Sequence, residues 1–218
     1  MAITNVSASK FKAIDLAYIA IGAALIAVCS WLCIPLTVPF TMQTFGIFFI
    51  LSALGGRRGT CSVAVYILLG AIGIPVFAEF TSGIGILLGN TGGYMLGFVF
   101  IGLIYTAFIR LTGRTLLTES IALLLGLAVC YAFGTAWFML LYAKANGAVG
   151  LGTVLSWCVL PFIIPDLVKL ALALFIAQKR AENLFFLVIE LCRTTPVSPT
   201  LPTICFKARV VSPISGTR

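Results

Sequence analysis

Polar and charged residues divide this chain into long apolar runs. Apolar stretches over 16–34, 45–56, 60–75, 91–109, 120–142 and 154–178 predict six membrane-crossing helices. Most reach or approach the ~20 residues needed to cross ~30 Å of hydrocarbon. The second and third are short, and neighbouring protein is expected to shield part of them. Basic residues between the runs fall on one side. With the N-terminus inside, that side holds Lys10, Lys12, Arg57, Arg58, Arg110, Arg114, Lys179 and Arg180, whereas the opposite loops hold only Lys144. Lys and Arg collect on the cytoplasmic side of spans, so both ends of the membrane domain are expected in the cytoplasm. The expected fold is an all-α integral membrane protein, multi-pass in the cell membrane with lipid around it. Residues 1–180 form the six-helix membrane domain, and 181–218 form a cytoplasmic tail. A short amphipathic helix fits 181–191. From Arg193 the tail is polar and Pro-rich, a composition that favours disorder.

Two charges interrupt the sixth run. Asp166 and Lys169 are the only charged residues between 154 and 178. Each costs ~2.5–3.5 kcal/mol near the centre of a membrane helix. Their i,i+3 spacing places them on one helix face, within reach of each other. Pro161 and Pro165 lie just before them. Each proline removes a backbone donor and is expected to kink the helix. Two readings fit: the polar end of a binding pocket, or a self-satisfied pair that fixes helix register.

A second polar point opens the fourth run. Gly89-Asn90-Thr91-Gly92-Gly93-Tyr94 begins it, with Gly97 one turn later. Asn90 or Thr91 can cap the helix. The spacing of Gly89, Gly93 and Gly97 suits close helix packing and close approach to a ligand equally well. The loops on the same side, 35–43 and 73–85, are apolar where water-facing loops would be polar. They fold over a cavity as a lid, or lie at the lipid interface. In the first run, Ala20/Ala24 and Ala23/Ala27 make a strip of small residues suited to another membrane helix, inside the chain or in a partner.

Composition sharpens this picture by exclusion. The 218 residues are 61% hydrophobic and 9% charged, against roughly 25% charged in soluble domains. There is no His, which removes imidazole metal ligation and His-based acid–base catalysis. No phosphate-binding G-x-x-x-x-G-K-[ST] run occurs. The net charge of +8 follows the topology, so it does not indicate nucleic acid. The seven cysteines lack a C-x-x-C pair and read as small hydrophobes. No catalytic residue, metal or cofactor is expected. An intramembrane enzyme is disfavoured because no second carboxylate falls inside a predicted span; Glu79 lies in a loop.

Four segments taken together are similar to a known family: Pro39-Phe40-Thr41-Met42-Gln43-Thr44-Phe45, the stretch 59–78 ending Gly73-Ile74-Pro75-Val76-Phe77-Ala78, then Thr91-Gly92-Gly93-Tyr94, and Pro165-Asp166-Leu167-Val168-Lys169. In this order they resemble the biotin-specific S components (BioY family) of energy-coupling-factor (ECF) transporters. The resemblance runs from about residue 13 to 180, and the tail beyond resembles nothing in the family. It implies six transmembrane helices and biotin captured near the outer face under a lid formed by 35–43. It also implies uptake with a membrane coupling subunit and two cytoplasmic ATPases. Asn90, Asp166 and Lys169 become the expected ligand contacts, joined by Gln43, with Phe40, Phe77 and Tyr94 enclosing the bicyclic ring. Ala20 and Ala24 become the expected contact with the coupling subunit. The alternatives are an S component for another vitamin, or a membrane protein outside transport.

Overall fold

The computed structural model describes residues 12–34, 40–147 and 150–194. It falls into two compact units divided between Ala177 and Gln178, and the description concerns the first. The expectations for the N-terminal tail (1–11) and for the Pro-rich tail (195–218) lie outside the described residues. So does the centre of the proposed lid, 35–39.

Helix α1 (Ala13–Trp31) is opened by Asp15, whose carboxylate accepts a hydrogen bond from the Lys12 backbone N–H at 2.9 Å. The chain then becomes extended in β1 (Cys33–Ile34) and returns in β2 (Phe40–Thr41). The two strands pair antiparallel, Cys33 with Thr41 and Ile34 with Phe40. Helix α2 (Gln43–Leu54) follows, and Gly55 at φ 81° turns the chain directly into α3 (Gly56–Ala71). A left-handed glycine makes this turn in one residue. Arg57 and Arg58, expected in a loop, therefore lie in the first turn of α3.

A long connection carries a 3₁₀ turn at Ala78–Phe80 and the short helix α4 (Ile84–Leu87). It leads into α5 (Gly92–Thr112), and Gly113 then turns the chain into α6 (Leu116–Asn146). The sixth predicted span arrives as two helices, α7 (Leu151–Cys158) and α8 (Leu160–Thr194), broken at Val159. The break precedes the prolines. Pro161 falls in the first turn of α8, where its missing N–H would lack a partner anyway; Pro165 lies inside the helix. Helix α8 continues through residue 194, across the boundary expected at 180.

Among the described residues, four stretches are long and apolar enough to cross a membrane: Ala13–Trp31, Gly92–Thr112, Leu116–Lys144 and Leu151–Lys179. Gln43–Leu54 is shorter, and α3 carries two arginines. Both short helices bury much of their surface in protein, as their length requires. Phe48 and Leu51 of α2, and Val63 and Tyr66 of α3, are fully buried.

The glycines of α5 act in packing. A Cβ on Gly93 would lie 2.3 Å from the Trp137 Cβ, and one on Gly97 would lie 2.7 Å from the Cys130 sulphur. Gly134 of α6 returns the arrangement by receiving the Tyr94 ring. Small residues here bring the two helix backbones together.

At the α2–α3 turn end lies a buried acid that the sequence pattern placed just outside a span. Glu119, in the first turn of α6, is 4% exposed. It accepts from Ser52 Oγ at 2.7 Å and from Tyr105 OH at 3.1 Å, and it pairs with Arg114. Arg114 also donates to the Ser52 carbonyl near the end of α2. The expectation of no second carboxylate within the spans is thus corrected. Glu119 ties α2, α5 and α6 together with every visible bond made inside the protein. Glu119→Ala is expected to cost about 2–3 kcal/mol of stability, since it orphans two buried donors. The check is a thermal unfolding scan in detergent.

Candidate ligand-binding site

Helix α8 brings Asp166 and Lys169 to the β2–α2 junction. Both are buried, at 3% and 5% exposure. Lys169 Nζ donates to Asp166 Oδ1 at 2.8 Å, to the Thr41 carbonyl at 2.7 Å and to Thr44 Oγ1 at 3.2 Å. An ammonium has three protons, and these three acceptors use all of them. Asp166 also accepts from Thr44 Oγ1 at 2.9 Å and, through Oδ2, from Tyr131 OH at 2.6 Å. A carboxylate offers about four lone-pair directions, so Asp166 retains capacity on the Oδ2 side. The Phe40 ring lies 4.2 Å from Lys169 Nζ and stacks on Phe162 at 6.1 Å. A cation against an aromatic face gains from the ring quadrupole. Lys169 is therefore held by its own protein, and Asp166 is the member with bonding capacity left.

A cavity of about 260 Å³ adjoins this pair. That is close to the lower end of the ~300–1,000 Å³ usual for small-ligand pockets. One end is polar, with Thr41, Gln43, Thr44, Tyr131, Asp166 and Lys169. The wall is apolar and aromatic, including Phe77, Tyr94, Met95 and Phe98. Gln43 is held by an N–H to Tyr66 OH at 2.9 Å, and Tyr66 meets the Phe77 ring edge-on at 5.7 Å. Tyr94 OH lies 3.1 Å from Thr135 Oγ1.

Of the residues expected from sequence, Gln43, Phe77, Tyr94, Asp166 and Lys169 come together on the cavity. Phe40 backs Lys169 from outside the lining. Asn90 is exposed and stands apart from the lining, where the neighbouring Thr91 takes its place. Ala20 and Ala24 are exposed on α1, whereas Ala23 and Ala27 are buried against the core. Sequence reasoning missed Thr44 and Tyr131, which hold Asp166. It also missed Cys130 and Cys158, which line the wall. A hydroxyl in an apolar run carries little signal, because a Ser or Thr can bond its own helix instead.

The chain is similar to known proteins over most of its length. The profile of the BioY family matches residues 4–185. The chain is 39% identical to a biotin transporter BioY of Thermotoga maritima, over 73% of this chain and 90% of that protein. It is 37% identical to a probable biotin transporter BioY of Pyrococcus horikoshii, over 79% of this chain and 99% of that one. The fold is similar to a 2.1 Å crystal structure of the S-component for biotin from an ECF-type ABC transporter. That match has a TM-score of 0.68 and 29% identity, covering 83% of this chain and 95% of the other.

Proposed function

The chain belongs to the BioY family, and from that premise we propose that it is the membrane subunit that captures biotin for an ECF transporter, without covalent chemistry. One observation carries the proposal: a cavity with an apolar aromatic wall ends on a buried Asp–Lys pair. The reading is a six-helix protein of the cell membrane with both termini in the cytoplasm and the cavity opening outward. A membrane coupling subunit and two ATPases complete the transporter, and the exposed Ala20/Ala24 strip suits a contact with the coupling subunit.

In this reading the ureido head lies at the polar end. Asp166 accepts a ureido N–H on its Oδ2 side, and Gln43 offers an amide beside it. Lys169 acts by fixing Asp166. Phe77 and Tyr94 enclose the bicyclic ring, and Phe40 supports the polar end from behind. Thr91 takes the lining position expected of Asn90. The buried acceptor rejects ligands that lack the N–H, since an unpaired buried polar group is costly. Competition on the purified protein tests this. A ureido-free analogue should bind at least about 100-fold more weakly than biotin, with desthiobiotin between them. Equal binding of all three compounds, or preference for a different vitamin, would overturn the assignment.

A further inference from the structure

We infer that Tyr66 is a positioning residue that fixes the Gln43 amide with its carbonyl toward the cavity, so that the polar end offers two hydrogen-bond acceptors to one ligand. The inference rests on the proposed biotin site and deepens it. The preferred ligand carries two N–H donors on one rigid ring, as a cyclic urea does.

The orientation follows from where each proton goes. Ser30 is fully buried, and its hydroxyl lies 2.5 Å from the Val76 carbonyl and 2.8 Å from the Ala27 carbonyl. A hydroxyl has one proton and a carbonyl can only accept, so that proton is committed to these two neighbours. The hydroxyl of Tyr66, itself fully buried, also meets Ser30. Toward Tyr66, Ser30 has only lone pairs left. Tyr66 therefore gives its proton to Ser30 and turns a lone pair to Gln43. The amide answers with an N–H, Nε2 to Tyr66 OH at 2.9 Å. The reversed amide would set Oε1 against that lone pair, two acceptors with no proton between them. Oε1 is thus the free end, and it meets no donor among the described residues. Gln43 is 5% exposed while lining the cavity.

The second acceptor is Asp166 Oδ2. Thr44, beside Gln43 in the first turn of α2, donates to Asp166 Oδ1 at 2.9 Å. That bond keeps both acceptors at the same end of the cavity. A ureido ring has two N–H groups, one on each side of its carbonyl. Asp166 takes one and Gln43 takes the other. A ligand with oxygen in place of either N–H sets a lone pair against a buried acceptor and leaves it unpaired.

Titration of the full chain in detergent with biotin and two analogues tests this, each analogue having one ureido N–H replaced by a ring oxygen. Wild type should bind both at least about tenfold more weakly than biotin. In Tyr66→Phe the amide is free to turn, so one analogue should come within about twofold of biotin while Asp166 still rejects the other. Ser30→Ala lets Tyr66 turn its proton to Gln43 and should move the same ratio in the same direction. Ratios unchanged in both variants, whatever happens to biotin affinity itself, would make Tyr66 and Ser30 packing residues and overturn the inference. Wild type accepting one analogue as well as biotin would overturn the Gln43 acceptor and leave the Asp166 contact standing. Failure of biotin to bind wild type would overturn the site and the inference together.

Discussion

Asp166→Asn should lower biotin affinity at least about 100-fold and also weaken the fold, since removing one member of a buried ion pair typically costs ~3–5 kcal/mol. Asn keeps the shape of Asp, so the loss comes from charge and from acceptor capacity. Lys169 would remain 5% exposed with the Thr41 carbonyl and the Thr44 hydroxyl as its other partners and no countercharge. Tyr131 and Thr44 would each face a weaker acceptor or an amide N–H. Adding Lys169→Met separates the two effects. The double variant removes the orphaned charge, so its thermal midpoint should return close to wild type. Its biotin affinity should stay low, because the acceptor for the ureido N–H is still missing. A titration and an unfolding scan on the same preparations check this. A double variant that binds like wild type would make the pair a device for helix register alone.

The pair was legible in the sequence because charge within an apolar run is expensive and has few explanations. The same contrast failed for Glu119. It stands five residues after Arg114 and one before the predicted span, so it read as a border residue. Its burial depends on Ser52 and Tyr105, far away in the chain, which no local pattern reports. Thr44 and Tyr131 were hidden for the same reason. Helix boundaries drifted where one residue could make a turn: Gly55 let α3 begin before its arginines. The break before α8 came at Val159 rather than at either proline, because Pro161 fits a first turn. The glycines opening α5 were read as serving packing or ligand approach. The Cβ distances at Gly93 and Gly97 show how tightly they pack against α6, and side chains such as Tyr94 line the cavity. Asn90 is polar and adjoins the start of α5, yet the turn between α4 and α5 leaves it exposed, and Thr91 lines the wall.

Gly70→Ala should cost about 1–3 kcal/mol of stability as overpacking and lower biotin affinity at least about tenfold by displacing the segment that closes the cavity. Gly70 lies on α3 where the Phe77 ring crosses it. A Cβ there would stand 2.0–2.6 Å from three ring carbons, closer than any relaxed contact. The Gly70 carbonyl also accepts from the Gly83 N–H at 2.7 Å, so one residue holds both ends of the 77–83 segment. Pushing the ring outward shifts Ala78, Glu79 and Thr81, all of which line the cavity, and breaks the edge contact that steadies Tyr66 and through it Gln43. A second change identifies the cause. Gly70→Ala with Phe77→Leu exchanges the ring for a smaller side chain, so part of the lost stability should return. Affinity should recover less, because the aromatic wall is gone. Biotin titration of both variants reads the outcome. Wild-type affinity in Gly70→Ala would mean that the site forms without this segment, and the wall would then have to be assigned to α5 and α6 alone.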